Sequence, residues 1–201
     1  ARAEPSTVRV RAAVCGAQAS GSGAVVSNGY VVTNAHVVAG ARDGAVAVDT
    51  VNGDGADARV VLFDPSLDVA LLWAPDLQAR ALRFAAVDPA RGAVGAALGY
   101  PGGGALTIVP AAVTGSYRAT GRDIYDDARV DRDILELRAR IDRGDSGGPF
   151  VLDDGSIGGL VFAEARSDPE VGYALTPTSV AVRIAPAIGR HEAVSTGNCL
   201  Q

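Results

Sequence analysis

The chain has 201 residues, a formal net charge of −5 at pH 7, an isoelectric point near 5.0 and 48% hydrophobic residues. This hydrophobic fraction can fill a sizeable core, which excludes a disordered chain, and the negative charge provides no general attraction to nucleic acid or anionic lipid. No apolar run reaches the roughly 18 residues that span a bilayer, and no signal-peptide core is present. We therefore expect any export signal or membrane anchor to lie upstream of Ala1.

The first half of the chain has the pattern of short strands joined by tight turns. Apolar side chains recur at every second position over residues 6–14, which predicts a half-buried first strand. Asn28-Gly29 separates two β-branched runs, and this dipeptide is a strong hairpin signal. These two runs and the strand-like segments after them lie at 21–27, 30–33, 45–51, 57–63 and 69–73.

The second half continues this pattern, with strands predicted at 95–99, 106–117, 134–141, 150–152, 156–163 and 171–176. Residues 122–133 mix Asp and Arg, which predicts a solvated loop, with a metal site as the alternative. Residues 178–188 favour a short C-terminal helix. We expect an all-β protein of two packed barrels with a site between them, one from residues 1–90 and one from residues 91–201.

Two cysteines, Cys15 and Cys199, stand near the two ends of the chain. They lack the C-x-x-C spacing and the neighbouring histidine pair of a zinc site, so a disulfide and two free buried thiols remain the alternatives. A disulfide would tie the termini together, stabilise the fold by up to about 5 kcal/mol in the chain-entropy model, and indicate an oxidising compartment.

The sequence Arg-Gly-Asp-Ser-Gly-Gly-Pro at residues 143–149 suggests a nucleophile in a tight turn. Gly144 and Gly147 flank Ser146 and can adopt positive φ, so the backbone can aim the N–H groups of Gly144 and Ser146 at one point. Such a pair of donors would form an oxyanion hole. The alternative is an ordinary glycine-rich turn, since the same residues are common in turns.

A base and a carboxylate that could orient it stand upstream of this serine. His36 follows a predicted strand inside an apolar stretch, where packing would hold it in place; a structural core histidine is the alternative. Asp68 heads the apolar run 69–73, and a partly buried carboxylate there needs a hydrogen-bond donor such as an imidazole N–H. Asp64, beside Pro65, is expected to be an exposed turn residue.

His36, Asp68 and Ser146 follow one another in the order of the chymotrypsin arrangement, which differs from the order in subtilisin and in the α/β-hydrolases. On these motifs the sequence resembles the trypsin-like serine proteases, and more closely their HtrA-like branch. The residues that carry the resemblance are Gly-Ser-Gly at 21–23, Thr-Asn-Ala-His-Val-Val at 33–38, Asp-Val-Ala-Leu-Leu at 68–72, Leu-Gly-Tyr-Pro at 98–101, Gly-Asp-Ser-Gly-Gly-Pro at 144–149 and Gly-Tyr-Ala-Leu-Thr-Pro at 172–177.

The resemblance implies two six-stranded β-barrels of the chymotrypsin type, with the active site in the cleft between them and a short C-terminal helix. It implies that His36 is the general base, that Asp68 orients it and that Ser146 is the nucleophile. Gly144 and Ser146 would form the oxyanion hole.

By the same resemblance, the substrate-binding pocket would be lined by Ile141, Leu160, Val161 and Phe162. Selection for Lys or Arg in the substrate needs an acidic residue at the base of this pocket. None precedes Ser146 at a suitable place, so we expect cleavage after apolar residues.

With its terminal cysteines, its acidic loop and no PDZ domain, the sequence resembles the protease domain of the membrane-anchored acid-resistance serine proteases of actinobacteria (MarP-like). This implies a periplasmic location, cell-envelope protein substrates and an anchoring segment upstream. Residues 1–7 lack the aromatic residue that HtrA trimers use, so we expect a monomer. The partner of Asp145 is left open among Arg138, Arg140 and Arg143.

We therefore expect a serine endopeptidase that cleaves protein or peptide substrates through an acyl-enzyme, with a role in acid or oxidative stress resistance. No cofactor, metal or nucleic-acid partner is expected. Two alternatives remain: a catalytically silent domain of this fold that binds partner proteins, and a latent enzyme whose oxyanion hole forms only after a trigger.

Overall fold

The computed structural model describes residues 3–165 and 168–200, and these residues form two closed β-barrels of six strands each. The first barrel contains β1 (Thr7–Val14), β2 (Ala17–Ser27), β3 (Tyr30–Thr33), β4 (Ala41–Asp49), β5 (Gly55–Asp64) and β6 (Val69–Trp73). The second contains β7 (Val94–Gly99), β8 (Thr107–Arg122), β9 (Arg129–Arg138), β10 (Pro149–Leu152), β11 (Ile157–Glu164) and β12 (Val171–Leu175). The prediction of an all-β double barrel is confirmed.

Helices are short in the described part of the chain. Helix α1 (Ala35–Val38) follows β3, and helix α2 (Pro177–Ile184) follows β12. Single 3₁₀ turns cover Glu4–Ser6, Pro101–Gly103 and Ala185–Ala187. The predicted C-terminal helix is therefore present, and none of the helices in the described ranges is long and apolar enough to cross a membrane.

Each barrel closes where the two strands at the ends of its spatial strand order pair with each other, β1 with β4 in the first barrel and β7 with β10 in the second. In the first barrel β1 pairs antiparallel with both β2 and β4, and in the second β10 pairs with both β11 and β7. The hairpin between β1 and β2 turns through Cys15 (φ 52°) and Gly16 (φ 83°), both in the left-handed region. Two consecutive positive φ angles give the turn that best matches strand twist.

The charged segment 122–133 is only partly the loop that its composition predicted. Strand β9 begins at Arg129, and residues 123–128 alone connect it to β8. The Arg118 guanidinium lies 2.9 Å from Asp133, which is its direct partner across the two strands. This cross-strand ion pair, together with the hydrogen bond from Thr120 to Asp131, favours strand pairing over this segment, so it extends the hairpin instead of forming a loop.

The core consists of two barrel interiors and a layer between them. Val10 and Leu72 are buried inside the first barrel, and Phe150 is buried inside the second. A further cluster joins Leu71 of the first barrel to Leu160 of the second, and helix α2 packs on it through Val180. This shared apolar layer holds the two barrels in a fixed relation, so residues from both can form one site.

The segment after helix α2 returns across the first barrel and ends in a disulfide. The N–H of Val194 donates to the carbonyl of Val60 at 2.9 Å, and Thr196 accepts a hydrogen bond from the N–H of Gly40 at 3.0 Å. Cys199 then bonds to Cys15, with their Cα atoms 6.0 Å apart. The disulfide alternative is therefore confirmed over that of two free thiols.

Candidate active site

His36 and Asp68 come together because the strands next to them are neighbours. His36 lies in α1, directly after β3, and Asp68 immediately precedes β6. Strands β3 and β6 pair antiparallel, with Thr33 opposite Ala70. The end of one strand and the start of the other therefore lie side by side, which places the imidazole beside the carboxylate.

Asp68 holds His36 at two points. Its Oδ2 lies 2.8 Å from His36 Nδ1, and its Oδ1 accepts the backbone N–H of His36 at 2.9 Å. Asp68 is 4% exposed and has a φ of 63°, which is uncommon for a residue other than glycine. The Asn34 side-chain amide donates to the Asp68 carbonyl at 2.8 Å and supports this backbone conformation.

The charge state of His36 depends on this carboxylate. Burial lowers the pKa of His36, but the negative charge and hydrogen bond of Asp68 together outweigh burial, so the net pKa is raised above the usual imidazole value. The positive charge of Arg132 opposes this increase. Because Nδ1 faces Asp68, the neutral imidazole leaves Nε2 without a proton and able to accept one.

Ser146 is brought to the same region by close contact between the barrels. The N–H of Ser22 in β2 donates to the Ser146 carbonyl at 2.8 Å. Gly147 has a φ of 85°, and a Cβ atom there would lie only 2.3 Å from Thr33 Oγ1, so only glycine permits this approach. Ser146 thus lies against the strand that leads into His36, although no hydrogen bond joins their side chains among the described residues.

Two hydrogen bonds orient the peptide units on either side of the one that joins Gly144 to Asp145. The N–H of Gly102 donates to the Arg143 carbonyl at 2.7 Å, and the N–H of Gly148 donates to the Asp145 carbonyl at 2.9 Å. In a trans peptide the C=O and the N–H point in opposite directions. The N–H groups of Gly144 and Ser146 therefore point away from these donors, and no acceptor in residues 3–165 or 168–200 engages them.

Asp145 is buried without any of the arginine partners considered from the sequence. Its Oδ2 accepts the N–H of Asp142 at 2.9 Å, and its Oδ1 has no hydrogen-bond partner within the described residues. Arg140 pairs instead with Asp142 at 3.5 Å. Burial raises the pKa of the Asp145 carboxyl, and the nearby charge of Asp142 adds to this, while the hydrogen bond from Asp142 opposes it.

A cavity of about 250 Å³ opens beside Ser146. Its lining residues are Ile141, Asp142, Arg143, Ser146, Phe162, Ala163 and Glu164. Two of the predicted substrate-binding residues, Ile141 and Phe162, line this cavity. Ile141 packs tightly on Gly172, where a Cβ atom would lie 2.3 Å from Ile141 Cγ1.

The other two predicted substrate-binding residues, Leu160 and Val161, do not reach this cavity. Both side chains are fully buried in the core, and the Val161 N–H and C=O bond to Gly148 and Gly147. The pairing of β11 with β12 shifts register between Val161 and Ala163, which brings Ala163 and Glu164 to the cavity instead. A strand prediction does not reveal such a bulge.

Several residues of this site had no assigned role in the sequence analysis. Ser22, Tyr100 and Gly102 support the segment around Gly144, and Asn34 supports Asp68. All four lie in or next to motifs that carry the family resemblance. Only the structure shows that these motifs contact each other.

Comparison with known proteins gives concordant matches. A family model described as a trypsin-like peptidase domain matches residues 21–160. Two serine proteases of Mycobacterium tuberculosis, MT3772 of strain CDC 1551 and Rv3671c of strain H37Rv, are each 43% identical to the chain over 204 residues. These alignments cover 100% of the chain and 50% of each relative, so the chain spans about half the length of the curated relatives it matches.

Solved structures with the same architecture include two forms of the M. tuberculosis protein. The active form of the Rv3671c protease matches with a TM-score of 0.94 at 42% identity, covering 100% of this chain and 88% of that chain. The inactive form has a TM-score of 0.81 at 42% identity, and the match covers 92% of this chain and 90% of that chain. The HtrA-type protease AlgW with a tripeptide has a TM-score of 0.81 at 28% identity, and the match covers 96% of this chain and 63% of that chain.

Proposed function

The chain belongs to the trypsin-like peptidase family, and from this premise we propose that it is a serine endopeptidase with His36, Asp68 and Ser146 as its catalytic triad. The resemblance to trypsin-like serine proteases and to their HtrA-like branch is confirmed by the family match and by the similarity to AlgW. The observation that carries the proposal is the pair of N–H groups at Gly144 and Ser146, which no acceptor in the described part of the chain engages.

In the proposed acylation step, His36 Nε2 removes the proton of Ser146 Oγ as this oxygen attacks the scissile carbonyl carbon. The carbonyl oxygen becomes an oxyanion and accepts hydrogen bonds from Gly144 and Ser146. His36, now an imidazolium stabilised by Asp68, gives the proton to the leaving amine as the C–N bond breaks. An acyl-enzyme on Ser146 and a free amine result.

In the proposed deacylation step, a water molecule takes the place of the amine. His36 removes a proton from this water, which attacks the acyl carbon and forms a second oxyanion at the same two N–H groups. The proton then returns to Ser146 Oγ, and the carboxylic acid product leaves. The loss of one oxyanion donor typically costs about 3 to 4 kcal/mol in the barrier, so both donors matter for the rate.

We propose that the cavity beside Ser146 accepts an apolar side chain of the residue that precedes the cleaved bond. Ile141, Phe162 and Ala163 supply an apolar surface there. The Asp142 carboxylate lies 3.5 Å from the Arg140 guanidinium, so its charge is already partly balanced. Efficient cleavage after Lys or Arg in a peptide library would contradict this preference.

Neither alternative function is favoured by an observation. A silent binding domain has no need for an aligned His36–Asp68 pair or for two N–H groups that point to one side of a serine. A latent enzyme would rest with its oxyanion hole distorted. The higher TM-score against the active form of Rv3671c than against its inactive form, 0.94 compared with 0.81, supports an enzyme that rests in the competent conformation.

We also propose that the protein acts outside the cytoplasm on cell-envelope proteins, as an anchored protease in acid or oxidative stress resistance. The disulfide between Cys15 and Cys199 supports an oxidising compartment. The 43% identity to Rv3671c supports the MarP-like assignment. We expect the protease unit to be a monomer that binds no nucleic acid, with any membrane contact made by a segment outside this chain.

Cleavage-site mapping tests the proposal. Purified protein and its Ser146→Ala variant are incubated with extracted cell-envelope proteins, and the new N-termini are identified by mass spectrometry. We expect new termini only with the unmodified protein, enriched after apolar residues. Identical sets of termini from both proteins would overturn the assignment of Ser146 as the nucleophile.

A further inference from the structure

The hydroxyl of Ser22 lies between two backbone groups that belong to the nucleophile's surroundings. The N–H of Tyr100 donates to Ser22 Oγ at 2.8 Å, and Ser22 Oγ lies 2.7 Å from the carbonyl oxygen of Gly144. A backbone N–H can only donate, so the hydroxyl accepts from Tyr100 and its own proton goes to Gly144. Both hydrogen bonds of this side chain are therefore determined by its neighbours.

Ser22 is completely buried, so water cannot replace either of these bonds. When a buried polar group loses its hydrogen-bond partner, the fold is destabilised by the full free energy of desolvating that group. The Gly144 carbonyl is therefore held on the side of Ser22. The peptide unit that joins Gly144 to Asp145 consequently has one favoured orientation.

This peptide unit lies between the two that supply the oxyanion donors. The N–H of Gly102 fixes the Arg143 carbonyl, and the N–H of Gly148 fixes the Asp145 carbonyl. Gly144 has a φ of 104°, where a side chain would strain the backbone, and glycine is flexible enough to let neighbouring peptides rotate. The bond from Ser22 to the Gly144 carbonyl restricts this rotation at the most flexible residue of the segment.

The turn that contains Gly102 depends on the same hydroxyl. Ser22 Oγ holds the N–H of Tyr100, and Tyr100 leads directly into the 3₁₀ turn Pro101–Gly103 whose Gly102 N–H binds Arg143. A single side chain therefore supports the Gly144 carbonyl directly and the Arg143 carbonyl through the turn. Loss of the hydroxyl would loosen both.

Ser22 also connects this segment to the general base. Ser22 belongs to β2 of the first barrel, and its carbonyl accepts a hydrogen bond from Thr33 Oγ1 at 2.7 Å. Thr33 is the last residue of β3. Helix α1, which contains His36, begins two residues later at Ala35. The oxyanion donors of the second barrel are thereby positioned relative to the histidine of the first.

We infer that Ser22 is a positioning residue that holds the Gly144 N–H in the orientation needed to stabilise the oxyanion. It contacts neither the substrate nor the reacting atoms, and acts through Gly144 and Tyr100. The inference rests on the proposed function as a serine endopeptidase. It adds that a hydroxyl from the opposite barrel keeps the oxyanion hole formed in the resting protein.

A comparison of Ser22→Ala with Thr7→Val tests this inference. Thr7 is also fully buried in the first barrel, and its hydroxyl donates to the Ala3 carbonyl at 3.0 Å, away from the nucleophile. For both variants and the unmodified protein one measures kcat and KM for a peptide substrate, the affinity for a peptide boronate, the fluorophosphonate labelling rate and the melting temperature. The boronate is informative because its tetrahedral adduct needs the oxyanion hole.

For Ser22→Ala we expect kcat, the labelling rate and boronate affinity each to fall about 10- to 100-fold, with KM within twofold of the original. Thr7→Val should lower the melting temperature while leaving kcat within twofold. A merely structural role for Ser22 would lower the melting temperature in both variants and leave kcat unchanged in both, and that result would overturn the inference.

Ser22→Cys covers the case in which Ser22→Ala does not fold. A thiol is a weak donor and a weak acceptor of similar size, so we expect kcat to fall several-fold with KM unchanged. An unchanged kcat in this variant would overturn the inference. Failure of the unmodified protein to react with the fluorophosphonate would instead contradict the proposed function, so the two failures are distinguishable.

Discussion

The carboxylate of Asp68 receives both the backbone N–H and the ring Nδ1 of His36, at 2.9 and 2.8 Å. One acidic side chain therefore fixes the position of the histidine and the direction in which its ring points. Because Asp68 is itself held in a left-handed backbone conformation by Asn34, the pair is prearranged before any substrate binds. This arrangement leads to a prediction about pH.

The raised pKa of His36 predicts that activity increases with pH through a value above that of ordinary histidine, since only the neutral imidazole can act as a base. Removal of the carboxylate removes the main stabilisation of the imidazolium, so Asp68→Asn should lower the pKa. Titration of the ring protons by NMR in the inactive Ser146→Ala background measures this directly. The ring signals of His191 serve as the internal reference, and an equal or higher His36 pKa in Asp68→Asn would contradict the account.

The buried carboxyl of Asp145 should make the free energy of unfolding depend on pH. Burial raises its pKa in the folded protein, so between the unfolded and folded pKa values the folded state binds the proton more tightly. Stability is therefore greatest below the unfolded pKa and falls as the pH rises through the folded pKa. Asp145→Asn removes the buried charge and keeps an acceptor for the Asp142 N–H.

We accordingly expect Asp145→Asn to stabilise the protein at pH 7 by about 1 to 3 kcal/mol, with a smaller gain in acid. Urea unfolding at several pH values measures the difference. Asp142→Asn is the matched control, because the Asp142 side chain is about half exposed and its removal should change stability little. A destabilised Asp145→Asn at neutral pH would show that the carboxylate has a favourable partner.

The sequence identified the three catalytic candidates and the strands that carry them. Asn28-Gly29 was a clear hairpin signal, and the strands on either side end at Ser27 and begin at Tyr30 as that signal requires. The hairpin at Cys15 and Gly16 gave no such signal, because cysteine is rarely the first residue of a turn with two positive φ angles. Tertiary context, including the disulfide, holds it there.

What the sequence could not provide was contact between distant segments. The family resemblance places Leu160 and Val161 at the pocket wall, yet both are buried, and after a register shift in β11 it is Ala163 that lines the cavity. The sequence leaves the partner of Asp145 open among three arginines, whereas in the structure a backbone N–H only three residues away fills that role. Bulges and backbone donors leave no mark on residue type, so the sequence alone reveals neither arrangement.

The disulfide between Cys15 and Cys199 predicts a large effect of reduction on stability. It links residues 184 apart in sequence, and cross-linking over such a distance stabilises the fold by about 3 to 5 kcal/mol in the chain-entropy model. Urea unfolding of the protein with and without a reductant measures the effect. A Cys15→Ala, Cys199→Ala double variant should match the reduced protein, and equal unfolding free energies with and without the disulfide would contradict this prediction.

A substitution at Gly172 is expected to change which substrate side chains the cavity accepts. A Cβ atom on Gly172 would lie 2.3 Å from Ile141 Cγ1, so Gly172→Ala must displace Ile141, which lines the cavity beside Ser146. We expect kcat/KM for substrates with Phe or Leu before the cleaved bond to fall about tenfold or more relative to substrates with Ala there. The Ala substrate is the control for general damage, and an equal loss for all three substrates would contradict the assignment of this cavity.

Fluorophosphonate labelling of the folded protein tests the central claim most directly, since this reagent needs an activated serine and an oxyanion hole but no knowledge of the substrate. The unmodified protein and Ser146→Ala are treated at a pH above the His36 pKa, and the adduct is located by peptide mass spectrometry. We predict one phosphonylated residue, Ser146, in the unmodified protein and none in the variant. A folded, disulfide-bonded protein that remains unlabelled under these conditions would contradict the account.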